Sequence, residues 1–415
     1  MARKLNAAAI PDGWKYDLLD KFATRCSGHT PSKTYPEYWD GGIKWISLTD
    51  SYRLDKGYVY ETDKEISLEG IKNSSAELHP AETVVLSRDA GIGKSGVMAV
   101  PMAVSQHFIA WKCDNQERLN SWFLYNWLQL NKAEFERQAV GSTIKTIGLP
   151  YFKKLKIAMP PYPEQHKIAK ILSTWDKAIS TTEQLLANSQ QQKKALMQQL
   201  LTGKKRLLDK NGVRFSGEWK KVTLDSVADM NSGGTPKSSI EEYYGGDIPW
   251  VSIADMTKHG KWISSTERNI SELGLANSSA RLYPENTILY AMYASIGECS
   301  IAKVPLCSSQ AILGIRPKKS LYFEFLYFFL VSLKDEIKLQ GQQGTQANLN
   351  AGMVKGFSLR LPCIEEQQKI ADVLSTTDQE IAALQQKLDA LKQEKKALMQ
   401  QLLTGKRRVK VEVAA

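Results

Sequence analysis

Residues 193–204 read KKALMQQLLTGK, and residues 395–406 repeat the same segment without a change. The correspondence continues upstream, where Glu164–Gln165 is matched by Glu366–Gln367. It extends more loosely into the preceding segments, with pairs such as Trp14/Trp219, Thr30/Thr235, Trp45/Trp250 and Gln106/Gln310. A period of about two hundred residues is too long for a solenoid repeat. It indicates a duplicated pair of modules, each a globular domain of roughly 155 residues followed by a segment of about 45.

The short segments are predicted to be long helices. Steps of four and three residues alternately select a largely apolar seam in each copy, which is typical of a coiled coil. The first seam comprises Ile168, Leu172, Trp175, Ile179, Thr182, Leu186, Ser189, Lys193, Leu196 and Leu200. The second comprises Ile370, Leu374, Thr377, Ile381, Leu384, Leu388, Leu391, Lys395, Leu398 and Leu402. Gly203 and Gly405 suit the left-handed position that ends a helix.

The connectivity predicts how the helices run. If the seams pack together, a chain that leaves the first domain along one helix returns along the other, so the helices are antiparallel. We therefore expect an α+β protein with two similar mixed α/β domains, two antiparallel coiled-coil helices and pseudo-two-fold symmetry. The helix over residues 164–201 would be about 57 Å long, equivalent to about 17 base pairs of B-DNA. The predicted segments are 1–158 and 207–360 (globular domains), 159–206 and 361–408 (long helices) and 409–415 (tail).

The composition is that of a folded protein, with 42% hydrophobic and 24% charged residues in a chain of 415. The net charge of +11 makes an anionic partner such as nucleic acid a reasonable hypothesis. The five cysteines form no CxxC pair and no zinc spacing, which favours a reducing compartment. No apolar run follows Met1 as in a signal peptide, and no segment is apolar over the ~20 residues of a membrane span. We expect a cytoplasmic protein.

Loops in both domains combine small residues, aromatic residues and cations, which are types that contact phosphates and base edges. The candidates in the first domain are Thr30, Lys33, Tyr38, Lys44, Arg88, Lys94, Ser142, Thr143 and Lys145. Those in the second are Thr235, Lys237, Ser238, Tyr243, Tyr290, Tyr293, Gln346 and Asn348. Taken singly, such residues are also common in solvated turns. Trp45 and Trp250 recur as well, but they lead into strand residues and are predicted to be core.

The candidate loops differ between the two copies more than the framework does. Arg88–Asp89 aligns with Met292–Tyr293, and residues 142–145 fall opposite residues 345–348. Two diverged sets of loops on a shared framework would recognise two different short sequences. The divergence therefore predicts an asymmetric DNA target made of two half-sites.

The polar residues of the repeated helical segment have a different implication. A buried seam requires only apolar side chains of about the right size, so it does not explain unchanged polar residues. A surface presented twice to two copies of one partner would explain them. The candidate partner-docking residues are Lys193, Gln198, Gln199, Lys395, Gln400 and Gln401. The alternative that the helices only hold the domains together remains open.

Catalytic motifs are incomplete in this sequence. Gly91–Ser95 resembles the end of a P-loop but lacks the first required glycine. Met159–Tyr162 resembles the catalytic tetrapeptide of amino-methyltransferases, but Met159 cannot accept a hydrogen bond from an amino group as that chemistry requires. The histidines have no metal-ligand spacing. We predict no catalytic residue, no metal site and no cofactor bound by this chain.

The repeated KKALMQQLLTGK segments, the pattern Pro-x-x-Glu-Gln-x-Lys-Ile-Ala at residues 161–169 and Gly-Gly-Thr-Pro at residues 233–236 resemble the specificity (S) subunit of type I restriction–modification systems. The likeness covers essentially the whole chain. It implies that each globular domain is a target recognition domain for one half of a bipartite DNA sequence. It also implies that the helices act as a spacer and as the docking surface for two methyltransferase subunits.

The resemblance implies that catalysis lies on partner subunits. With its methyltransferase subunits the S subunit forms an adenine-N6 methyltransferase, and restriction subunits add an ATP-dependent endonuclease. S-adenosylmethionine, ATP and Mg²⁺ are thus expected on the partners. Two other hypotheses stay open from the residues alone: a coiled-coil scaffold whose globular ends bind proteins, and an enzyme that acts alone. The first loop reads Ser27-Gly28-His29-Thr30-Pro31 instead of Gly-Gly-Thr-Pro, so the two loops could hold DNA differently.

Overall fold

The computed structural model describes residues 10–113, 117–142, 145–293, 295–337 and 349–411. The chain divides into two compact units, residues 1–183 with 386–415 (unit 1) and residues 184–385 (unit 2). Each unit contains one globular domain and one half of each long helix. This division passes through the two long helices near their middle. The sequence pattern changes from globular domain to long helix at other places, near residues 158 and 360.

The globular domain of unit 1 is built on three small sheets. Its strands are β1 (Lys15–Leu18), β2 (Thr24–Ser27), β3 (Trp39–Ile46), β4 (Tyr58–Val59), β5 (Glu65–Ile66), β6 (Val84–Ser87), β7 (Ser95–Met98), β8 (Ala103–Val104), β9 (Phe108–Lys112) and β10 (Lys156–Met159). The sheet orders are β1-β10, β2-β9-β6-β7-β4 and β5-β3-β8. The pairs β3–β8 and β4–β7 are parallel, and the other pairs are antiparallel.

Helices pack against these strands. They are α1 (Leu68–Lys72), α2 (Ser121–Leu130), α3 (Lys132–Gln138), α4 (Leu149–Lys153) and the first long helix, α5 (Tyr162–Leu200). Asn120 starts α2, because its side chain accepts a hydrogen bond from the Phe123 backbone N–H at 3.0 Å. Trp111, Phe123 and Phe152 are wholly or almost wholly buried in the main core. Phe123 thus packs α2 into the core that the strands of unit 1 form.

The globular domain of unit 2 repeats this arrangement strand for strand. Its strands are β11 (Lys220–Thr223), β12 (Ala228–Ser232), β13 (Tyr244–Val251), β14 (Trp262–Ile263), β15 (Arg268–Ile270), β16 (Ile288–Ala291), β17 (Cys299–Ala302), β18 (Cys307–Ser308), β19 (Ile312–Pro317) and β20 (Ser358–Leu361). Its helices are α6 (Leu224–Val227), α7 (Ile253–His259), α8 (Glu272–Ala276), α9 (Phe323–Ser332), α10 (Ala351–Lys355) and the second long helix, α11 (Ile364–Leu402). The sheet orders are β11-β20, β12-β19-β16-β17-β14 and β15-β13-β18. Every pairing of unit 1 therefore has a counterpart here.

The long helices run antiparallel in each unit. The core of unit 1 contains Ile168 and Leu172 from the start of α5 together with Met399 and Leu402 from the end of α11. The core of unit 2 contains the reciprocal set, with Ile370 and Leu374 from the start of α11 beside Met197 and Leu200 from the end of α5. Every position of the two predicted seams is buried or half-buried. The predicted antiparallel coiled coil is thus confirmed.

Among the described residues, no helix combines the length and the apolar character that crossing a bilayer requires. The long helices α5 and α11 have the length but not the apolar character, because charged and amide side chains occupy most of their exposed positions.

Candidate nucleic-acid interface

The two Thr-Pro loops follow equivalent edge strands and are held by the same backbone contacts. The N–H of His29 donates to the Val104 carbonyl at 3.0 Å, and in unit 2 the N–H of Gly234 donates to the Ser308 carbonyl at 2.9 Å. Each loop begins with a glycine that approaches the neighbouring strand so closely that a Cβ would overlap backbone atoms. The two loops therefore share these backbone contacts although their sequences differ.

A buried tryptophan side chain donates a hydrogen bond to the backbone of each loop. The indole N–H of Trp45 donates to the His29 carbonyl at 3.0 Å, and that of Trp250 donates to the Gly234 carbonyl at 2.9 Å. Trp45 is 5% exposed and Trp250 is 8% exposed. Their prediction as core residues is confirmed. Their added role is to anchor the loop that carries the candidate threonine.

A threonine–glutamine pair recurs at the exposed end of each loop. The Thr30 hydroxyl donates to the side-chain carbonyl of Gln106, and Thr235 makes the same bond to Gln310. Both glutamines are exposed. A glutamine side chain has two further N–H donors, which can bond to a base edge or a phosphate. Sequence reasoning omitted these glutamines as site residues, although the recurring Ser-Gln dipeptide was a signal for them.

In unit 1 this pair extends into a chain of polar contacts that joins four segments. The Gln106 amide nitrogen lies 3.5 Å from Nε2 of His107, and Nδ1 of His107 lies 2.5 Å from the Asp89 carboxylate. The other Asp89 oxygen accepts a hydrogen bond from the Thr146 hydroxyl. The chain links the Thr-Pro loop to the loop after β6 and to the segment after α3. No local sequence pattern indicated His107, and the sequence marked Asp89 only as a position where the two copies differ.

Arg88 lies beside this chain, as a candidate for reading bases. Its backbone is fixed on both sides, since its N–H donates to the His107 carbonyl at 3.0 Å and its carbonyl accepts from the Ile147 N–H at 2.9 Å. Nε of Arg88 lies 3.8 Å from Asp89 and has no hydrogen-bond partner among the described residues. Nε itself is buried, but the side chain is 20% exposed and its terminal nitrogens carry further N–H donors of the kind that bonds to guanine or phosphate.

Among the described residues of unit 2, the corresponding chain does not continue beyond the Thr235–Gln310 pair. Ala311 stands where unit 1 has His107, Met292 where it has Arg88, and Tyr293 where it has Asp89. Tyr293 is 42% exposed, so an aromatic ring replaces the polar contacts of unit 1 at this surface. The framework is shared and the exposed chemistry differs, in agreement with the predicted divergence of the loops.

Tyr290 was predicted as a DNA-contacting residue, and this prediction is wrong. Its side chain is wholly buried and its ring packs edge-on to Phe357 at a centroid distance of 6.4 Å. Burial raises the pKa of its hydroxyl far above the ordinary value. The error arose because all four residues of β16 are buried, so an aromatic residue there fills the core instead of facing a ligand.

Lys44 and Lys94 are engaged within unit 1. Lys44 forms an ion pair with Glu61, and Lys94 donates to the Ser51 carbonyl at 3.2 Å. Tyr38 and Tyr243 are half-buried, and their carbonyls accept the N–H groups of Ser67 (2.9 Å) and Ser271 (3.0 Å). The remaining described candidates are exposed, namely Lys33, Ser142, Lys145, Lys237 and Ser238. The predictions for Thr143, Gln346 and Asn348 concern residues outside the described ranges.

The candidate docking residues fall into two groups. The lysines lie at the helix seam, where Nζ of Lys193 is 2.5 Å from Asp378 and Nζ of Lys395 is 2.5 Å from Asp176. These ion pairs explain the recurrence of the lysines by contacts within each unit. In contrast, Gln198, Gln199, Gln400 and Gln401 are all exposed. The glutamines thus remain candidates for a contact surface.

Two stretches of the chain, residues 11–188 and 216–393, match the family model described as "Type I restriction modification DNA specificity domain". The chain therefore belongs to this family, with two tandem copies of the domain. The doubled match agrees with the strand-for-strand repeat of the two units. The resemblance inferred from the sequence is thereby confirmed.

The chain is also similar to individual proteins. The chain is 35% identical over 164 residues to the type I restriction enzyme MjaIX specificity subunit of Methanocaldococcus jannaschii, covering 39% of this chain and 38% of that protein. It is 25% identical to the MjaVIII specificity subunit of the same organism, covering 98% of this chain and 96% of that protein. The fold is similar to the crystal structure of a type I restriction–modification S subunit from M. genitalium, with a TM-score of 0.58, 17% identity, and coverage of 96% and 97%.

Proposed function

We propose that the two globular domains each read one half of an asymmetric, bipartite DNA sequence. The proposal is supported chiefly by one observation. The two domains share their fold and their Thr–Gln pair, but only the first continues through His107 and Asp89 beside Arg88. Similar scaffolds that carry different hydrogen-bonding groups suit two different short sequences.

The long helices would serve as spacer and docking surface. Each contains 39 residues, or about 58 Å at ~1.5 Å per residue. The exposed glutamines at 198, 199, 400 and 401 are presented twice, which suits two copies of one methyltransferase subunit. Restriction subunits would join this assembly, which would act in the cytoplasm. Adenine-N6 methylation and ATP-dependent cleavage would be catalysed by the partner subunits, which would bind S-adenosylmethionine, ATP and Mg²⁺.

The decisive experiment reconstitutes this chain with its methyltransferase subunit and maps the methylated adenines on a DNA library. We expect one motif made of two unlike half-sites separated by a spacer of fixed length. Methylation of a continuous palindrome, or without any defined motif, would contradict the proposal. Replacing residues 1–158 by the corresponding domain of another family member should alter one half-site only, and a change of both would refute the modular assignment.

The spacer role has its own test. Inserting four residues, about one turn and ~6 Å, into both long helices should lengthen the spacer between unchanged half-sites. The same insertion placed in the C-terminal tail serves as the control. An unchanged spacer in the helix variant would show that the helices do not set the distance.

The effect of salt on DNA binding distinguishes the proposed function from the alternative of a protein-binding scaffold. Phosphate contacts release counterions, so the affinity of the reconstituted complex for its duplex should fall steeply as salt increases. An affinity for duplex DNA that does not change with salt concentration would favour the scaffold instead.

A further inference from the structure

Three potential metal ligands meet at the edge of the five-stranded sheet of unit 1. Cys26 lies on the edge strand β2, and His79 forms a reciprocal backbone bridge with Met102. The Cys26 sulfur, a Glu77 carboxylate oxygen and a His79 ring nitrogen all lie within 4.8 Å of one another. Because 51 residues separate Cys26 from Glu77, no local spacing in the sequence indicated this cluster.

His79 is the unusual member of the cluster. Its side chain is 0% exposed, and neither ring nitrogen has a hydrogen-bond partner among the described residues. Leaving a polar group buried without a partner costs free energy, so such groups are rare unless they bind something. A neutral imidazole offers a nitrogen lone pair, and this is the form of histidine that binds a metal ion.

The corresponding place in unit 2 is satisfied by hydrogen bonds. Asn231, Arg281 and Tyr283 stand where unit 1 has Cys26, Glu77 and His79. The Arg281 guanidinium donates to the Asn231 side chain at 3.2 Å, and the Tyr283 hydroxyl donates to the Asn231 carbonyl at 2.9 Å. In unit 2 the side chains at this position thus hydrogen-bond to their neighbours. In unit 1 the histidine has no hydrogen-bond partner among the described residues.

We propose that Cys26, Glu77 and His79 bind a Zn²⁺ ion. Thiolate, carboxylate and imidazole are all zinc ligands, and a tetrahedral site would separate the His nitrogen and Glu oxygen by about 3.4 Å. The observed distance from Nδ1 of His79 to Oε2 of Glu77 is 3.7 Å. The negative charges of the thiolate and the carboxylate balance the dication, and water would fill the fourth position.

Binding has two local consequences. The Cys26 thiol must release its proton, because the thiolate is the ligand. The ammonium of Lys112 lies 3.2 Å from the Glu77 carboxylate, and this ion pair must break when the carboxylate binds the metal ion. The bound ion would fasten β2 to the segment around His79, directly before the loop that carries Thr30. This role concerns the rigidity of unit 1 and does not depend on the proposed DNA target.

The test uses the full chain after treatment with a chelator, titrated with Co²⁺ as a spectroscopic probe and then with Zn²⁺. We expect one equivalent of Co²⁺ to give a thiolate charge-transfer absorption that Zn²⁺ abolishes. The Cys26→Ser variant should lose this absorption, whereas Cys363→Ser, which removes an exposed thiol elsewhere, should keep it. The Glu77→Gln variant should bind Co²⁺ at least about tenfold more weakly, since even outer groups of metal sites contribute this much.

The proposal fails if the unmodified chain shows no thiolate absorption, or if Cys26→Ser retains it. It also fails if Glu77→Gln binds Co²⁺ as tightly as the unmodified chain. The Glu77 side chain is 56% exposed, so its replacement leaves the fold intact and the comparison stays valid. A rise in the thermal midpoint on adding Zn²⁺, absent in Glu77→Gln, is expected alongside.

Discussion

Arg408 and Glu164 lie 244 positions apart in the chain, and their side chains form a bidentate ion pair in unit 1. Nε of Arg408 donates at 2.7 Å and Nη2 at 2.8 Å to the two carboxylate oxygens. These hydrogen bonds raise the pKa of the guanidinium. The indole N–H of Trp14 donates to the same carboxylate at 3.2 Å. The start of α5 is thereby tied to the segment that follows α11.

Unit 2 repeats this arrangement with Arg206, Glu366 and Trp219. The guanidinium–carboxylate distances are 2.6 and 2.7 Å, and the indole donates at 3.2 Å. Next to each glutamate, Gln165 or Gln367 bonds to the backbone of its own domain, with distances of 2.8 to 3.0 Å. The recurring Glu-Gln dipeptide thus joins each helix start both to its domain and to the end of the other helix.

We predict that Arg408→Ala lowers the free energy of unfolding of unit 1 by about 1–3 kcal/mol, because it leaves the buried Glu164 carboxylate without its cation. Arg206→Ala should have an effect at the upper end of this range in unit 2, since Arg206 is less exposed than Arg408. Urea denaturation of the full chain measures both. Arg407→Ala, at the exposed neighbouring position, is the control. Equal midpoints for Arg407→Ala and Arg408→Ala would contradict the prediction.

We predict that Lys395 and Asp176 are energetically coupled across the helix seam by about 0.5–1 kcal/mol, as expected for a partly exposed ion pair. A double-mutant cycle with Lys395→Met and Asp176→Asn measures this coupling. Lys396→Met, which changes the adjacent exposed lysine, is the control and should show no coupling to Asp176. A coupling of zero for Lys395 would mean that its recurrence has another cause, and partner docking would then become the better explanation.

We predict that Arg88→Ala weakens binding of the reconstituted complex to its own target by about 5- to 150-fold, equivalent to about 1–3 kcal/mol for a lost base contact. The loss of discrimination should be confined to the first half-site. Fluorescence anisotropy with duplexes altered in one half-site at a time measures both effects. Met292→Ala, the equivalent change in unit 2, is the control and should leave discrimination at the first half-site unchanged. A uniform loss on every duplex would instead identify Arg88 as a phosphate contact.

We predict that Gly314→Ala destabilises unit 2 by about 1–3 kcal/mol, because a Cβ at this position would overlap the ring of Tyr283. Unit 1 has Ala110 at the equivalent place in the sheet, and it has His79 instead of the tyrosine. The double variant Gly314→Ala with Tyr283→His should therefore recover part of the loss. Thermal denaturation measures these changes. No shift for the single variant, or no recovery in the double variant, would contradict this account.

The long helices and their seam could be predicted because their signal is local. An apolar side chain every three or four residues specifies a helical stripe whatever the rest of the chain does, and the repeat identified the same stripe twice. Trp45 and Trp250 were recognisable as core for a similar reason, since they recur beside strand residues. The candidate loops were located, but the residues that act within them were only partly identified.

The sequence by itself determined the duplication, the two helices, the family and the places where the two domains diverge, since these depend on order and periodicity along the chain. Only the tertiary structure decided that Tyr290 is core, that Lys193 and Lys395 pair across the seam, and that Gln106, His107 and Asp89 extend the site from Thr30. It also brought Cys26 to His79. These relationships join positions that strand pairing and helix packing place together, and no local pattern in the chain encodes distances between residues so far apart in sequence.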